Sequence, residues 1–116
     1  RLRAMNFDEA MDACAGHPAT ELGYPFGEGV HVYKVVGKVF AILGDEAGHA
    51  RITLKADPED ARALVATFAE VTPGYHMNKK HWVSIDLPSA GAPLDELIRD
   101  SYELVVATLP RDKRPK

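Results

Sequence analysis

The sequence predicts an α+β fold: an antiparallel sheet, made of a three-strand meander plus a C-terminal hairpin or strand, with helices packed on one face. Two observations carry this. The consecutive segments Val30–Val36, Val39–Leu43 and Ala50–Lys55 are rich in β-branched and aromatic residues or alternate with a period of two. Segments of helical period lie before them, after them and at the C-terminal end. A run of strands flanked by helices marks the α+β class, because the helices then gather on one face of an antiparallel sheet.

The first helix is expected from about Phe7 to Ala15. Asn6 is a candidate N-cap and Glu9 stands three residues on, the spacing of a capping box. Phe7, Ala10, Met11 and Cys14 fall on one face, and Gly16-His17-Pro18 stops the helix. The span Glu21–Gly29, with three glycines and a proline, is expected to be a tightly turned loop whose Tyr24 and Phe26 plug the edge of the core. Gly37-Lys38 reads as a two-residue hairpin turn between the first two strands. Gly44–Gly48 reads as a polar loop. In the third strand Ile52 and Leu54 point inward, while Arg51, Thr53 and Lys55 point outward.

The second helix is marked by Asp57 as N-cap, Pro58 at the first helical position, and Glu59 and Asp60 at the positive end of the helix dipole. Ala61, Leu64, Val65 and Phe68 form its apolar stripe, and Thr72-Pro73-Gly74 ends it. Tyr75–Met77 and Lys80–Trp82 flank Asn78-Lys79, which suits a hairpin turn because Asn tolerates a left-handed backbone. The second arm continues as the strand Val83–Leu87. Its parity sends Val83, Ile85 and Leu87 inward and Trp82, Ser84 and Asp86 outward. A loop, Pro88–Pro93, precedes a last helix from about Leu94 to Leu109, and Arg111–Lys116 is expected to be a frayed basic tail.

Bulk composition narrows the function. The 116 residues suit one domain over 1–116, with an ordered core over about 6–110. No apolar run is long enough to cross a bilayer. The single cysteine, Cys14, excludes an intramolecular disulfide and points to a cytoplasmic home. Met5 is a candidate natural start. Net charge is −3, with 14 Lys and Arg against 17 Asp and Glu. Nucleic-acid binders are usually basic, because phosphate contacts supply most of their affinity. The distribution of cations therefore matters more than their total.

The stretch Pro73-Gly74-Tyr75-His76-Met77-Asn78-Lys79-Lys80-His81-Trp82 resembles the signature segment of the MmcQ/YjbR family. Tyr24-Pro25-Phe26-Gly27, Lys34-Val35 with Lys38–Ala41, and Asp100–Ala107 with Leu109-Pro110 are similar to further segments of that family. Together these span about Phe7 to Arg114. The resemblance implies a frataxin-like double-wing arrangement and the description "DNA-binding".

The residues supply their own reason for that function. Tyr75, His76, Asn78, Lys79, Lys80, His81 and Trp82 put lysines beside aromatic rings on one expected hairpin, with Met77 opposite Lys80, His76 opposite His81 and Tyr75 opposite Trp82. Lysines meet phosphates, and aromatic rings stack on bases. The outward Lys34, Arg51 and Lys55 extend the same surface, and the tail adds further cations. DNA is thus the expected partner. The alternative is a module that docks a protein or small ligand through the same hairpin. A third reading, iron binding by Asp8, Glu9 and Asp12, rests on fold analogy alone. His76 and His81 fall short of a metal site, which normally needs three or four ligands, so no cofactor or metal is expected. Cys14 on an apolar stripe, and Ser84 and Ser101 outside any nucleophile elbow, give no expectation of enzymatic activity.

Overall fold

In a computed structural model of the chain, the described residues are 4–46, 48–74 and 77–115. They form helix α1 (Phe7–Ala15), strands β1 (Thr20–Gly23), β2 (Val30–Val35), β3 (Lys38–Glu46) and β4 (His49–Lys55), helix α2 (Pro58–Thr67), strands β5 (Val71–Pro73) and β6 (Trp82–Asp86), and helix α3 (Leu94–Ala107). A short 3-10 turn, Arg111–Lys113, follows. The six strands make one antiparallel sheet in the order β1-β2-β3-β4-β6-β5. The α+β class expected from the sequence is the class observed.

One sheet face is covered by the helices. Tyr33, Leu43, Ile52, Leu54, Val83, Ile85 and Val71 alternate inward along their strands. They meet Ala10 and Cys14 of α1, Ala61 of α2, and Leu94, Ile98, Tyr102 and Val105 of α3 in a single core. Burial pushes the Cys14 thiol up to about 12, so it stays protonated as a small core residue. The capping box of α1 is present: the Glu9 amide donates to Asn6 Oδ1 at 2.9 Å, and the Asn6 amide donates to Glu9 Oε1 at 3.0 Å.

A β-bulge joins the sheet to α3. Tyr33 faces Ala41 but Lys34 faces Val39, so Phe40 is the extra residue. Both Phe40 and Ala41 are fully buried. The buried Ser101 hydroxyl of α3 donates to the Phe40 carbonyl at 2.6 Å and accepts the Lys55 amide at 2.9 Å. The Tyr102 ring meets Phe40 edge-on, with centroids 5.2 Å apart, and its hydroxyl donates to the Pro18 carbonyl.

Several expectations need correction. Thr20–Gly23, assigned in part to a loop, is an edge strand paired with β2. Tyr24 and Phe26 do not plug the core: they are 46% and 70% exposed. The first hairpin turn is Val36-Gly37, with φ of 47° and 77°, and Lys38 already pairs with Val35. Positive φ at both central residues is the geometry that matches strand twist, and it overrides the β-branched side chain of Val36. Strand β3 runs on to Glu46, through the residues expected to begin a loop. Val71–Pro73, read as the end of a helix, is an edge strand on β6. The last helix stops at Ala107, and the tail folds back: Arg114 Nε donates to the Leu109 carbonyl and Nη2 to the Ala107 carbonyl, both at 3.0 Å. The Ala107 carbonyl is an orphan of the helix end, which a nearby arginine satisfies, and Leu109 lies just beyond it.

Candidate nucleic-acid interface

The sheet's second face carries no helix among the described residues, and its register assembles the predicted cations. Lys55 is the Cα partner of Trp82, and Arg51 of Asp86. Lys34 stands two strands from Lys55, opposite Val39. Strands are about 4.8 Å apart, so Lys34 and Lys55 are roughly 10 Å apart in one row that ends at Trp82. The outward parity read from the sequence for Trp82, Ser84 and Asp86 agrees with the structure. Beneath the row, Thr53 and Ser84 are buried and share a hydroxyl–hydroxyl bond of 2.8 Å.

The far end of the row is the loop before β6. It is not the expected two-residue hairpin. Pro73, not Gly74, faces Val83, so the pairing is shifted by one residue. The Gly74 amide donates to the Trp82 carbonyl at 2.8 Å. The chain then turns twice. The Met77 amide reaches the Gly74 carbonyl at 3.4 Å, and the His81 amide the Asn78 carbonyl at 3.1 Å. Asn78 Oδ1 accepts the Lys80 amide at 2.9 Å, an Asx turn. Met77 therefore does not pair with Lys80. Tyr75 and His76 lie outside the described residues, and with them the expected pairs to Trp82 and His81.

Two contacts position this loop. A Cβ on Gly74 would sit 2.6 Å from Trp82 Cβ and 2.9 Å from the Trp82 carbonyl oxygen, so no other residue fits there without movement. The Ala56 amide donates to the His81 carbonyl at 2.9 Å, which ties the loop to the end of β4. Lys79 Nζ donates to the Gly74 carbonyl at 3.1 Å, leaving it further hydrogens for a ligand. Lys80 is exposed, and Trp82 and His81 are half-buried.

Arg62, which sequence reasoning did not single out, belongs to the same end of the molecule. It lines a cleft of about 460 Å³ between α2 and the loop, with Lys79 and Lys80 on the rim and Pro58, Val65 and Pro73 inside. Arg62 lies on α2 one residue after the buried Ala61, so helical spacing alone marks it only as a flank residue. Its proximity to the lysines comes from the docking of α2 on β5 and β6. Arg51 contributes less than expected, because Asp86 stands opposite it in register and also meets His49 Nε2 at 2.8 Å. Glu21 is the Cα partner of Lys34 and bounds the row on the other side.

Glu9 works in the α1 cap while Asp8 and Asp12 are exposed, and no group of three metal-ligating side chains occurs among the described residues. No helix among the described residues is long and apolar enough to cross a membrane. At the opposite end of the sheet, Glu70 Oε2 accepts from Ser89 Oγ at 2.9 Å and from the amides of Gly91 and Ala92, both at 3.1 Å. The Ala92 amide first, then the Ser89 hydroxyl, hold the Glu70 carboxyl below its ordinary value.

These features define a small α+β sheet protein with helices on one face and a basic, aromatic loop at one end of the other. More particularly, the chain belongs to the YjbR family, whose sequence model matches residues 15–104. It is 41% identical over 92 residues to the uncharacterized protein YbdF of Escherichia coli O157:H7, covering 77% of this chain and 75% of that one. It is 28% identical over 112 residues to the uncharacterized protein YjbR of Escherichia coli strain K12, covering 95% of both. Among solved structures it is similar to a Deinococcus radiodurans protein of the DUF419 domain, with a TM-score of 0.81 and 30% identity over 97% of this chain and 88% of that one. A Pseudomonas syringae protein matches with a TM-score of 0.75 and 26% identity, over 86% of this chain and 98% of that one.

Proposed function

We propose that the protein binds nucleic acid through the basic end of its sheet. The observation that supports this is the single row formed by Lys34, Lys55 and Trp82 on the helix-free face, ending at the loop that carries Lys79 and Lys80. Lysines meet phosphates as point charges, and Arg62 beside them can grip one phosphate with two parallel hydrogen bonds. Trp82 offers a ring face for a base, a contact worth ~1–3 kcal/mol. His81 and Asn78 shape the loop. A cytoplasmic location and a non-enzymatic role go with this reading.

The test is fluorescence anisotropy of labelled duplex and single-stranded DNA across a salt series. Binding is expected to weaken linearly on a log–log plot of affinity against salt, with a slope reporting the phosphates neutralised. Lys79→Ala with Lys80→Ala should lower affinity about tenfold or more and flatten that slope by ~1–2. Trp82→Ala should weaken single-stranded DNA more than duplex. No binding at low salt, or binding that ignores the double substitution, refutes the proposal.

A further inference from the structure

Helix α2 separates two clefts of opposite character. On the flank away from Lys79 and Lys80, a groove of about 560 Å³ runs between α2 and α3 over the end of β4. Its floor includes Leu54, Leu64, Leu97 and Leu104, and four carboxylates, Asp57, Asp60, Asp100 and Glu103, line it against a single cation, Lys55. Asp57 and Asp60 favour the N-terminal end of α2, but Asp100 and Glu103 lie beyond the first turn of α3 and gain nothing from its dipole. Asp57 is the N-cap of α2 yet makes no side-chain capping bond. Asp100 and Glu103 are three residues apart on α3, a spacing at which like charges destabilise a helix. Among the described residues, none of the four is held in an ion pair. Glu103 also acts electrostatically on His17.

We infer that this groove docks a basic amphipathic helix from a partner protein. Along α3 the lining runs from Leu97 to Ala107, about 15 Å at the rise of a helix, which is nearly three turns of a partner helix. Leucine side chains of the partner enter between Leu64, Leu97 and Leu104, and lysines or arginines on its flanks meet the rim. This is helix-in-groove recognition, with apolar anchors giving affinity and the charged rim giving selectivity. The charge complementarity selects the occupant: an acidic or neutral helix of the same shape would leave four carboxylates crowded against it.

The probe is a synthetic helical peptide of about twelve residues with leucines on one face and lysines on both flanks, about 18 Å long. A matched peptide carries glutamates in place of the lysines. Nitrogen-15-labelled full-length protein is titrated with each and followed by amide NMR. The lysine peptide should shift the amides of Ala63, Leu97 and Leu104. Asp60→Asn with Asp100→Asn and Glu103→Gln should weaken it at least tenfold. Ala63→Trp, an exposed position on the groove wall, should block it without changing charge. The inference is overturned if the lysine peptide shifts no amide, if the shifts map elsewhere, or if the glutamate peptide binds equally well. It is also overturned if the protein closes the groove by pairing with a second copy of itself.

Discussion

Replacing Ser101 with alanine tests the bridge between α3 and the sheet. The hydroxyl is fully buried and serves two backbone groups, the Phe40 carbonyl at 2.6 Å and the Lys55 amide at 2.9 Å. The Phe40 carbonyl belongs to the extra residue of the bulge, where the ladder between β2 and β3 is disrupted. A buried polar group left without a partner costs about 1–3 kcal/mol. Two such groups put the expected loss for Ser101→Ala at roughly 2–5 kcal/mol. In urea, with a slope of about 1–2 kcal/mol per molar, the midpoint should fall by ~1–5 M. Ser89→Ala is the matched comparison. It deletes the same oxygen from a buried serine whose one traced side-chain partner, Glu70, keeps the Gly91 and Ala92 amides. That loss should be about 1 kcal/mol. Circular dichroism followed in urea measures both. A Ser101→Ala loss no larger than that of Ser89→Ala refutes the argument that this hydroxyl satisfies both groups.

Three other outcomes are expected. Gly74→Ala forces its Cβ against Trp82, so about 1–3 kcal/mol of stability should be lost and the emission of the single tryptophan should shift; an unchanged spectrum would show that the loop yields elsewhere. Glu70 has a depressed folded-state pKa, so its contribution is complete above the unfolded value of about 4.5 and disappears as pH falls through the folded value. Urea midpoints between roughly pH 3 and 6 should show a stability rise with pH that Glu70→Gln diminishes. Phe26→Ser, at a largely exposed ring, should change stability by less than ~0.5 kcal/mol, whereas Phe40→Ala in the core should cost about 3–5 kcal/mol, both read from denaturation midpoints.

What could be read beforehand was whatever local chemistry decides. The Asn6–Glu9 capping box, the Asp57-Pro58 helix start and the alternation of Val83 and Ile85 with Trp82 and Ser84 each depend on near neighbours in sequence, and each agrees with the structure. Strands β1 and β5 escaped because four and three residues carry too little period to detect; pairing with β2 and β6 creates them. The loop register was missed for a similar reason. Asn78-Lys79 is an acceptable turn by itself, but the Gly74 amide bonds to the Trp82 carbonyl and the His81 carbonyl is taken by Ala56, a residue 25 positions away. Those contacts, made across the fold, displace the register that turn propensity favours. Arg62 is the corresponding omission in the site, since only the docking of α2 brings it to Lys79 and Lys80.

The acidic total of the chain weighs against nucleic acid only if the charge is spread evenly, and the fold separates it by layer. The three helices hold nine carboxylates against two arginines, Arg62 and Arg99. The remaining cations outnumber the remaining acids, so the negative excess belongs to the helical layer. Opposite charges on two faces are screened from each other when they lie beyond a Debye length, about 8 Å at physiological salt, and a packed helix on a sheet already exceeds that. A phosphate arriving at Arg62, Lys79 and Lys80 therefore responds mainly to the cations beside it, while Lys55 borders the acidic groove as well. By the same reasoning, a cation in the groove between α2 and α3 responds mainly to Asp57, Asp60, Asp100 and Glu103. Arg62 is the exception that proves informative: it is the one cation of α2, and it stands on the flank that faces the lysines, not the flank that faces the acids. The helix thus carries each sign of charge on the side where the neighbouring element carries the same sign. Such an arrangement opposes folding stability, since pairing Arg62 with the acidic rim would stabilise the helix instead. Like charges gathered at two separate clefts are what two ligands of opposite charge require.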